Sequence, residues 1–311
     1  MKALYFDEFG SSDVMHYGNL PDPVPAVGET LVRVSYAGLN FADIYRRRGK
    51  YHLADNPPHV NGYEASGTTE TGALAGCPVL FVDAPRANAE LVAVPEHKLI
   101  PLPADLDTKI AATIGLQGLT ADFLAHDLGR NQPGDTVFVT GVTGGVGQLL
   151  AQILMADGVI VCGSASTSEK ARTAVDLGVC EVFPSRERSW IGTQESRFDT
   201  VYDGLGATLN DSLALLKNRG SVVLFGFAAG DPPPVDFSTM IGHSKNILTG
   251  DLWDFLTTQQ ERKRRFDRLT DYLRSGRIRI ASPTVFPLSE GKSAHDMLES
   301  GSSTGKILLK P

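Results

Sequence analysis

The sequence predicts an α/β protein built around a doubly wound parallel β-sheet. From residue 136 onward, strand-like and helix-like segments alternate along the chain. The first strand, residues 136–140, is almost continuously apolar, which is typical of a parallel strand covered on both faces. A glycine-rich turn then leads into an amphipathic helix over residues 148–156. Together these observations favour repeated β–α units over a helix-only or all-β fold.

The other elements of this region follow from hydrophobic periodicity and turn signals. Six strands are predicted, at residues 136–140, 159–162, 179–183, 200–202, 221–225 and 246–249. Ser168 is the expected N-terminal cap of a helix over residues 169–177. Upstream, residues 108–128 show helical spacing, and we expect Gly115 and Gly118 to divide them into two short helices.

The two ends of the chain differ from this centre. Residues 31–36 alternate with period two and residues 91–94 form another candidate strand, so the first hundred residues are predicted to be β-rich. A polar helix is expected over residues 258–275, after which residues 283–309 return to strand-like, turn-rich sequence. Strand-rich ends around an α/β centre predict that both termini build one domain, with the α/β domain inserted between them.

The composition excludes several classes of partner. The 311 residues carry 29 basic and 36 acidic side chains, a net charge of −7, so no net positive charge attracts nucleic acid or a membrane surface. No apolar run reaches the ~18 residues of a membrane helix, and the N-terminus lacks the apolar core of a secretory signal. Cys77, Cys162 and Cys180 form no CxxC pair, and we interpret them as buried apolar residues of a cytoplasmic protein.

The glycine-rich turn at residues 141–147, Gly-Val-Thr-Gly-Gly-Val-Gly, is the strongest candidate site. It follows a buried strand and opens a helix, as a dinucleotide-binding loop does. Glycines allow the backbone to approach a pyrophosphate, whose charge is stabilised at the helix N-terminus. Gly144, Gly145, Val146 and Gly147 are therefore predicted to bind the cofactor. The spacing departs from GxGxxG, so a corner that only packs a strand on a helix is the alternative.

The sequence after the second strand indicates which dinucleotide binds. An acidic residue there would select NAD, whereas a cation would accept the 2′-phosphate of NADP. The strand end has no acid; it has the hydroxyls of Ser164 and Ser166, and Lys170 follows one turn into the next helix. Arg186 adds a second cation after the third strand. We therefore expect NADPH, the alternative being that Lys170 is a solvated surface charge.

Several blocks of the sequence resemble a known family. They lie at residues 38–45, 48–51, 62–67, 118–121, 140–147, 199–206 and 305–309. In these blocks the chain is similar to the zinc-independent quinone oxidoreductases (ζ-crystallin-like) of the medium-chain dehydrogenase/reductase superfamily. The resemblance implies a Rossmann-like NADPH-binding domain over residues 118–256. It also implies a GroES-like catalytic domain made of residues 1–117 and 257–311, and commonly a homodimer.

Two residues bear on the metal question. Zinc-dependent relatives have a cysteine where this chain has Asn40, and a histidine where it has Tyr63. A catalytic zinc ion needs three protein ligands such as thiolates and imidazoles, which an amide and a phenol do not replace. We therefore expect a reaction without metal.

The resemblance then implies hydride transfer from NADPH to a quinone or an α,β-unsaturated carbonyl. Asn40, Tyr45 and Tyr51 are the predicted catalytic residues. Asn40 would donate an amide hydrogen bond to the acceptor oxygen, and Tyr51 would protonate the α-carbon or only order a water molecule. Aromatic packing is the alternative for both tyrosines. At the level of function, the alternatives are an enoyl-thioester reductase and a non-catalytic NADPH-binding protein.

The remaining predicted cofactor contacts come from the same resemblance. Thr120 is expected at the nicotinamide end, and Gly206, Phe225 and Gly226 follow the fourth and fifth strands, at the edge where α/β proteins bind ligands. Lys306 is a further candidate, with a surface charge as its alternative.

The chain also departs from the family in two loops and in one charged triplet. The loops at residues 68–76 and 83–90 are shorter than usual. The triplet Arg46, Arg47 and Arg48 would suit an anionic substrate such as an acyl-CoA, but we expect it to form a solvated helix face.

Overall fold

The computed structural model describes residues 1–53 and 56–311. The described chain divides into two compact units. The first contains residues 1–117, 256–267 and 280–311, and the second contains residues 118–255 and 268–279. The sequence analysis assigned residues 257–311 to the catalytic domain; in the structure, residues 268–279 group with the second unit.

Strands dominate the first hundred residues, and strands and helices alternate from residue 136 onward. The strands are β1 Lys2–Phe6, β2 His16–Asn19, β3 Glu29–Leu39, β4 His59–Val60, β5 Glu64–Thr69, β6 Pro78–Val82, β7 Leu91–Pro95, β8 Leu99–Pro101, β9 Thr136–Val139, β10 Ile160–Ala165, β11 Glu181–Pro184, β12 Phe198–Asp203, β13 Leu216–Leu224, β14 Asn246–Thr249, β15 Thr284–Pro287 and β16 Ile307–Lys310. The helices are α1 Phe41–Arg47, α2 Thr108–Phe123, α3 Gly145–Ala156, α4 Ser168–Asp176, α5 Leu209–Leu215, α6 Phe237–His243, α7 Gln259–Arg274 and α8 Gly291–Glu299.

The first unit is built on a largely antiparallel sheet in the order β15-β16-β3-β5-β6-β8, with β7 paired to β3. A smaller sheet has the order β2-β1-β4. Because β16 pairs with β3, the C-terminus of the chain lies in the same sheet as its first hundred residues. Helix α8, which packs Ala294 and Leu298 into this core, was missed from the sequence, where residues 283–309 look only strand-like and turn-rich.

The second unit contains a parallel sheet in the order β11-β10-β9-β12-β13-β14. In order of appearance within this fully described stretch, the strands run 3-2-1-4-5-6, which is the Rossmann arrangement. The predicted fold class is therefore confirmed. The strand order reverses between β9 and β12, and in such sheets the ligand crevice lies at the carboxyl ends of the strands at this point. The segments after β9 and β12 are thus the expected ligand contacts.

Two local predictions were wrong. Residues 108–123 form one helix, α2, that continues through a π-helical turn at Leu124–Gly129, rather than two helices divided by glycines. Gly115 is buried inside α2, and a Cβ there would lie 2.5 Å from Glu64 Oε1, so this glycine permits close packing instead of ending a helix. The cap of α4 is Thr167 rather than Ser168, because the Thr167 hydroxyl accepts the N–H of Lys170.

The described residues include no helix that is long and apolar enough to span a membrane. The three cysteines are free thiols with different environments: Cys162 is buried, Cys77 is partly buried and Cys180 is exposed. The expectation that all three are buried was therefore wrong for Cys180. Burial raises the pKa of the Cys162 thiol to about 11, so this group stays protonated at neutral pH.

Candidate active site and dinucleotide-binding site

In the glycine loop of the second unit, the backbone conformation or packing at two positions, Gly141 and Gly147, favours glycine. Gly141 adopts a positive φ of 60°, a conformation that side chains disfavour. Gly147 packs against the Gly141 carbonyl so closely that a Cβ would overlap the oxygen. Between them, the N–H of Gly144 donates to the Gly141 carbonyl at 2.8 Å and closes a tight turn. This tight turn leads directly into the first residue of α3.

The first turn of α3 presents the N–H groups of Gly145, Val146 and Gly147, which have no acceptor within the helix. Together with the helix dipole, such groups form a binding site for a phosphate. Gly144 is exposed at this end and the first turn has no acidic residue to compete with an anion. The predicted loop residues are therefore placed where a pyrophosphate can be bound by backbone groups.

Strand β10 holds this loop in place. The hydroxyl of Ser164 accepts the N–H of Gly141 at 3.3 Å, and the Ser164 carbonyl accepts the N–H of Val142 at 3.0 Å. A Cβ on Gly163 would lie 2.7 Å from the Val142 Cβ, so β10 can approach the loop only because this position is glycine. Ser164 is buried by this contact, whereas Ser166 at the strand end is partly exposed.

Lys170 and Arg186 lie close enough to influence one another. Partial burial lowers the pKa of the Lys170 ammonium group, and the positive charge of Arg186 lowers it further. Lys170 is half-buried rather than a fully solvated surface charge, and Arg186 is exposed. Lys170, in the first turn of α4, and Arg186, after β11, are two like charges near each other, an arrangement that a bound anionic group would stabilise.

The segment after β12 is organised by a residue that the sequence analysis did not single out. Asp203 is buried, and its carboxylate accepts the N–H groups of Leu205 and Gly206 at 2.8 and 3.1 Å and the hydroxyl of Ser212 at 2.7 Å. Gly206 has a φ of 75°. The sequence feature that could have revealed this turn is an aspartate at a strand end followed by glycines. Aspartate side chains commonly accept a hydrogen bond from the backbone N–H two residues further along the chain.

The positions of the other predicted cofactor residues of the second unit are less specific for a dinucleotide. Phe225 and Gly226 follow β13, and a Cβ on Gly226 would lie 2.8 Å from the Gly204 carbonyl, so these two strand-end segments pack closely. Thr120 is half-buried in α2. Their cofactor contacts remain predictions.

In the first unit, a buried ion pair lies beside Asn40. The ammonium group of Lys306 donates to Glu64 Oε2 at 2.6 Å, and both side chains are almost completely excluded from solvent. Lys306 also donates to Asn40 Oδ1 at 3.0 Å, and Asn40 Nδ2 donates to Glu64 Oε2 at 3.0 Å. The other carboxylate oxygen of Glu64 accepts the N–H of Leu116 at 2.5 Å. We call Asn40, Glu64 and Lys306 the inner network.

The inner network changes the interpretation of two predicted residues. Asn40 Nδ2 donates to both Glu64 and the Gly38 carbonyl, so both amide hydrogens have protein acceptors. Donation to a substrate oxygen would require one of these bonds to break. The surface-charge alternative for Lys306 is wrong, because only 2% of this residue is exposed. Lys306 lies in the first unit with Asn40, while the other predicted cofactor residues lie in the second.

A second buried ion pair lies next to the inner network. Arg46 Nη1 is 3.1 Å from Asp43 Oδ1, and both side chains are 1% exposed. The other oxygen of Asp43 accepts the backbone N–H of Asn40 at 2.9 Å. The Arg46 guanidinium stacks against Tyr63 at 3.6 Å from the ring centroid and lies 4.9 Å from the centroid of Tyr51. Burial raises the pKa of the Asp43 carboxyl, and the Arg46 charge opposes that rise.

The solvated helix face predicted for the arginine triplet was wrong for two of its three members. Arg46 and Arg47 are fully buried, and only Arg48 is exposed. Arg47 donates to Glu299 Oε2 at 2.7 Å and contacts His295 Nδ1 at 2.9 Å. Burial and the Arg47 charge lower the pKa of His295 to about 3, so this imidazole is neutral at physiological pH. Arg47 therefore joins α1 to α8 inside the core.

Glu64 and Asp43 are the site residues that sequence reasoning missed, and Arg46 was considered only as part of the charged triplet. A faint signal for Glu64 was glycine at positions 38 and 115, because a side chain at either would overlap or crowd its carboxylate. Tyr45 is half-buried and packs near Phe41, with ring centroids 6.3 Å apart. Among residues 1–53 and 56–311, no three His, Cys, Asp or Glu side chains are grouped as metal ligands would be.

Comparison with known proteins finds relatives and solved structures that share this architecture. A family described as zinc-binding dehydrogenase matches residues 177–309, a stretch that excludes Asn40 and Tyr63. The probable quinone oxidoreductase of Schizosaccharomyces pombe is 32% identical, covering 96% of this chain and 94% of that protein. A 2-haloacrylate reductase from a Burkholderia species is 30% identical, covering 92% of each. The structure of Escherichia coli quinone oxidoreductase complexed with NADPH aligns over 100% of both chains with a TM-score of 0.92 and 27% identity.

A Rossmann-like unit with a glycine loop, inserted into a mixed-sheet unit made from both chain ends, defines a medium-chain dehydrogenase/reductase. Within this superfamily the chain belongs to the quinone oxidoreductase family.

Proposed function

We propose that this protein is an NADPH-dependent reductase that transfers a hydride to a quinone or an α,β-unsaturated carbonyl without a metal ion. The observation that carries the cofactor assignment is that Lys170 and Arg186 both follow adjacent parallel strands, β10 and β11, and lie near enough for the Arg186 charge to act on Lys170. The relatives support the substrate class, since one is named as a quinone oxidoreductase and another as a 2-haloacrylate reductase.

The residues of the second unit fit NADPH as they stand. Backbone N–H groups of Gly145 to Gly147 would bind the pyrophosphate, and the tight packing of Gly147 on Gly141 leaves the space that a larger side chain would fill. Lys170 and Arg186 would bind the 2′-phosphate, with Ser166 beside them. We keep Thr120, Gly206, Phe225 and Gly226 as further proposed contacts.

On the substrate side, the proposal assigns different tasks to the predicted residues. When bound, NADPH supplies the hydride. Tyr45 and Tyr51, both half-buried, are the proposed substrate contacts, and Tyr51 is the proposed proton donor to the α-carbon of a reduced enone. Asn40 acts within the inner network, where its amide bonds to Glu64 and Lys306 hold the start of α1. Tyr63 serves as a platform for Arg46 rather than as a metal ligand.

The experiment is a screen of NADPH and NADH oxidation with quinones, enals, enones and enoyl-CoA esters. We expect turnover of quinones or enones with NADPH preferred over NADH. Preferred turnover of enoyl-CoA esters would instead support the enoyl-thioester reductase, and NADPH binding without turnover of any acceptor would support a non-catalytic role. A requirement for added zinc would contradict the proposal.

Cofactor choice is tested separately with Lys170→Ala and Arg186→Ala. Each variant should weaken NADPH binding about tenfold, the size of one lost charge-assisted contact, and leave NADH binding nearly unchanged. Lys263→Ala, on the exposed side of α7, is a matched control. Equal loss of affinity for both cofactors would contradict the 2′-phosphate assignment.

We also propose a homodimer through the second unit. In the described chain β14 pairs with β13 on one side and is the edge of its sheet. The preceding helix α6 exposes Phe237 and Ile241, four residues apart on one face, at 69% and 80%. An open strand edge beside exposed apolar side chains is a typical surface for a second copy. Sedimentation of the wild type and of Phe237→Ser tests it, and a monomeric wild type would rule it out.

We place the protein in the cytoplasm, since its three cysteines are free thiols and one of them is exposed. Fractionation of cells that express a tagged chain tests this location, and recovery with the secreted fraction would contradict it.

A further inference from the structure

Arg46 is an unusual residue to find in the middle of a buried site. Its side chain is 1% exposed, and it lies one helical turn from Asp43 and next to two aromatic rings. We propose that Arg46 is a positioning residue that fixes Tyr51 for proton transfer to the substrate carbon. This inference rests on the proposed function, because it gives Tyr51 a proton to donate.

The first argument is that Tyr51 lies on a segment without regular structure. It follows the end of α1 and lies outside the helices and strands of the described chain. Arg46 reaches this segment in two ways: its guanidinium faces the Tyr51 ring, and its Nε donates to the His52 carbonyl at 3.2 Å. Both contacts orient the backbone and the ring of the segment that carries the phenol.

The second argument is that Arg46 is itself held rigidly. Asp43 binds Nη1 from within α1, and Tyr63, at the start of the segment leading into β5, covers the guanidinium at 3.6 Å. Asp43 in turn accepts the N–H of Asn40. The guanidinium is therefore a planar group connected to α1, to the β5 side and to the Tyr51 segment at once. Lysine would keep the charge but could not stack or bond in this planar, forked manner.

The third argument concerns stability. Burying a guanidinium is costly, and well-packed apolar residues often stabilise a core as well as a buried ion pair does. Within the described residues, Arg46 Nη2 is buried without a hydrogen-bond partner, which adds to that cost. Stability alone therefore gives a weak reason for this arrangement, whereas a need to hold Tyr51 in one orientation gives a strong one.

The reaction chemistry indicates which substrate class should be reduced more slowly when Tyr51 is no longer positioned. With an enone, the hydride adds to the β-carbon, the π electrons move to oxygen to give an enolate, and the Tyr51 O–H proton goes to the α-carbon. Solvent then returns a proton to the phenolate. With a quinone, the product protons are taken up on oxygen, which exchanges protons with water directly, so no positioned carbon acid is required. Loss of Tyr51 positioning should therefore affect enones more than quinones.

The test compares Arg46→Lys, Tyr51→Phe and the double variant, with cyclohexenone and benzoquinone as acceptors for NADPH. Arg46→Lys should lower kcat for cyclohexenone about tenfold with little change in KM, since misplacing a catalytic group acts on the chemical step. The ratio of enone to quinone turnover should fall by the same factor. In the Tyr51→Phe background, Arg46→Lys should have almost no further effect on cyclohexenone, because the group that it positions is absent.

Controls keep the outcomes distinct. Arg48→Lys, on the exposed neighbour of Arg46, should behave as the wild type. If Arg46→Lys does not fold, Asp43→Asn combined with Arg46→Gln removes both charges together, and its turnover of cyclohexenone and benzoquinone is compared in the same way.

An equal loss of kcat with both acceptors in Arg46→Lys, or a loss that is undiminished in the Tyr51→Phe background, would show that Arg46 only supports the fold. Tyr51→Phe with full enone turnover, or a wild type that reduces quinones but not enones, would also overturn the inference. A wild type inactive with both acceptors would instead refute the proposed function.

Discussion

The two candidate sites are built from different materials. In the second unit, the site consists of backbone N–H groups, closely packed glycines and two cations that are at least partly exposed. In the first unit, it consists of buried charged side chains, Asp43 with Arg46 and Glu64 with Lys306, arranged around Asn40. The glycine loop is therefore most sensitive to added side-chain size, and the buried ion pairs are most sensitive to the loss of one charged partner.

The two sites also differ in how far apart their parts are in sequence. The glycine loop is one continuous segment, and Ser164, which supports it, lies 23 residues from Gly141. Glu64 and Lys306 are separated by 242 residues. The first kind of site can be recognised from a short motif, whereas the second exists only after the chain has folded.

The largest predicted effect is on the buried ion pair. Lys306→Met leaves the Glu64 carboxylate buried without its counter-ion, and removing one partner of such a pair typically costs about 3–5 kcal/mol. The free energy of unfolding, measured by urea denaturation, should fall by this amount. Lys292→Met, which removes a lysine from exposed ion pairs with Asp13 and Asp296, is the control and should change stability far less.

The Glu64→Gln, Lys306→Met double variant completes this test. With both charges removed, no unpaired charge stays buried, so much of the lost stability should return. If Lys306→Met is as stable as the Lys292→Met control, the ion pair does not contribute to the fold as its burial indicates.

This contrast also explains what the sequence could predict. The strand order and the glycine loop were predictable, since alternating strand and helix patterns and a Gly-rich corner are local signals. The fold of the second unit was therefore confirmed. The roles of Glu64 and Asp43 were not predictable, because an acidic residue in isolation has the same pattern whether it is solvated or paired with a lysine far along the chain. Arg46 and Arg47 show the same limit: three consecutive arginines indicate a solvated face, and only tertiary packing shows that two are buried.

A second prediction concerns the backbone site. Gly147→Ala places a methyl group against the Gly141 carbonyl, so the loop must shift at a cost of about 1–3 kcal/mol in stability. NADPH affinity should fall at least about tenfold, because the same shift displaces the N–H groups that face the pyrophosphate. Thermal unfolding with and without NADPH measures both effects. Gly242→Ala in α6, where a Cβ meets nothing within 4 Å, is the matched control and should lose neither property.

The smallest effect is expected from a charged cluster that lies outside the glycine loop of the second unit. His126 Nδ1 is 3.2 Å from Asp122 Oδ1 and Nε2 is 3.0 Å from Asp157 Oδ2. Arg268 binds both oxygens of Asp122, and the Tyr272 hydroxyl donates to Asp157 at 2.6 Å. Because this imidazole is partly exposed, water screens its ion pairs more than those of the first unit.

The pH dependence of stability distinguishes this cluster from the fully buried pairs. Burial and the Arg268 charge oppose protonation of His126, but the hydrogen bonds to Asp122 and Asp157 and the Asp122 charge outweigh them and raise the pKa above the ordinary 6.5. The protonated form therefore stabilises the fold, fully below pH 6.5, and this contribution is lost as pH rises through the higher folded-state pKa. His126→Gln should lower stability by up to about 1 kcal/mol near pH 6 and by much less near pH 9, as measured by urea denaturation at each pH. His243→Gln, which removes an exposed imidazole bonded to Asn218, is the control. A His126→Gln effect that is the same at both pH values would mean that the imidazole contributes by packing rather than by its charge.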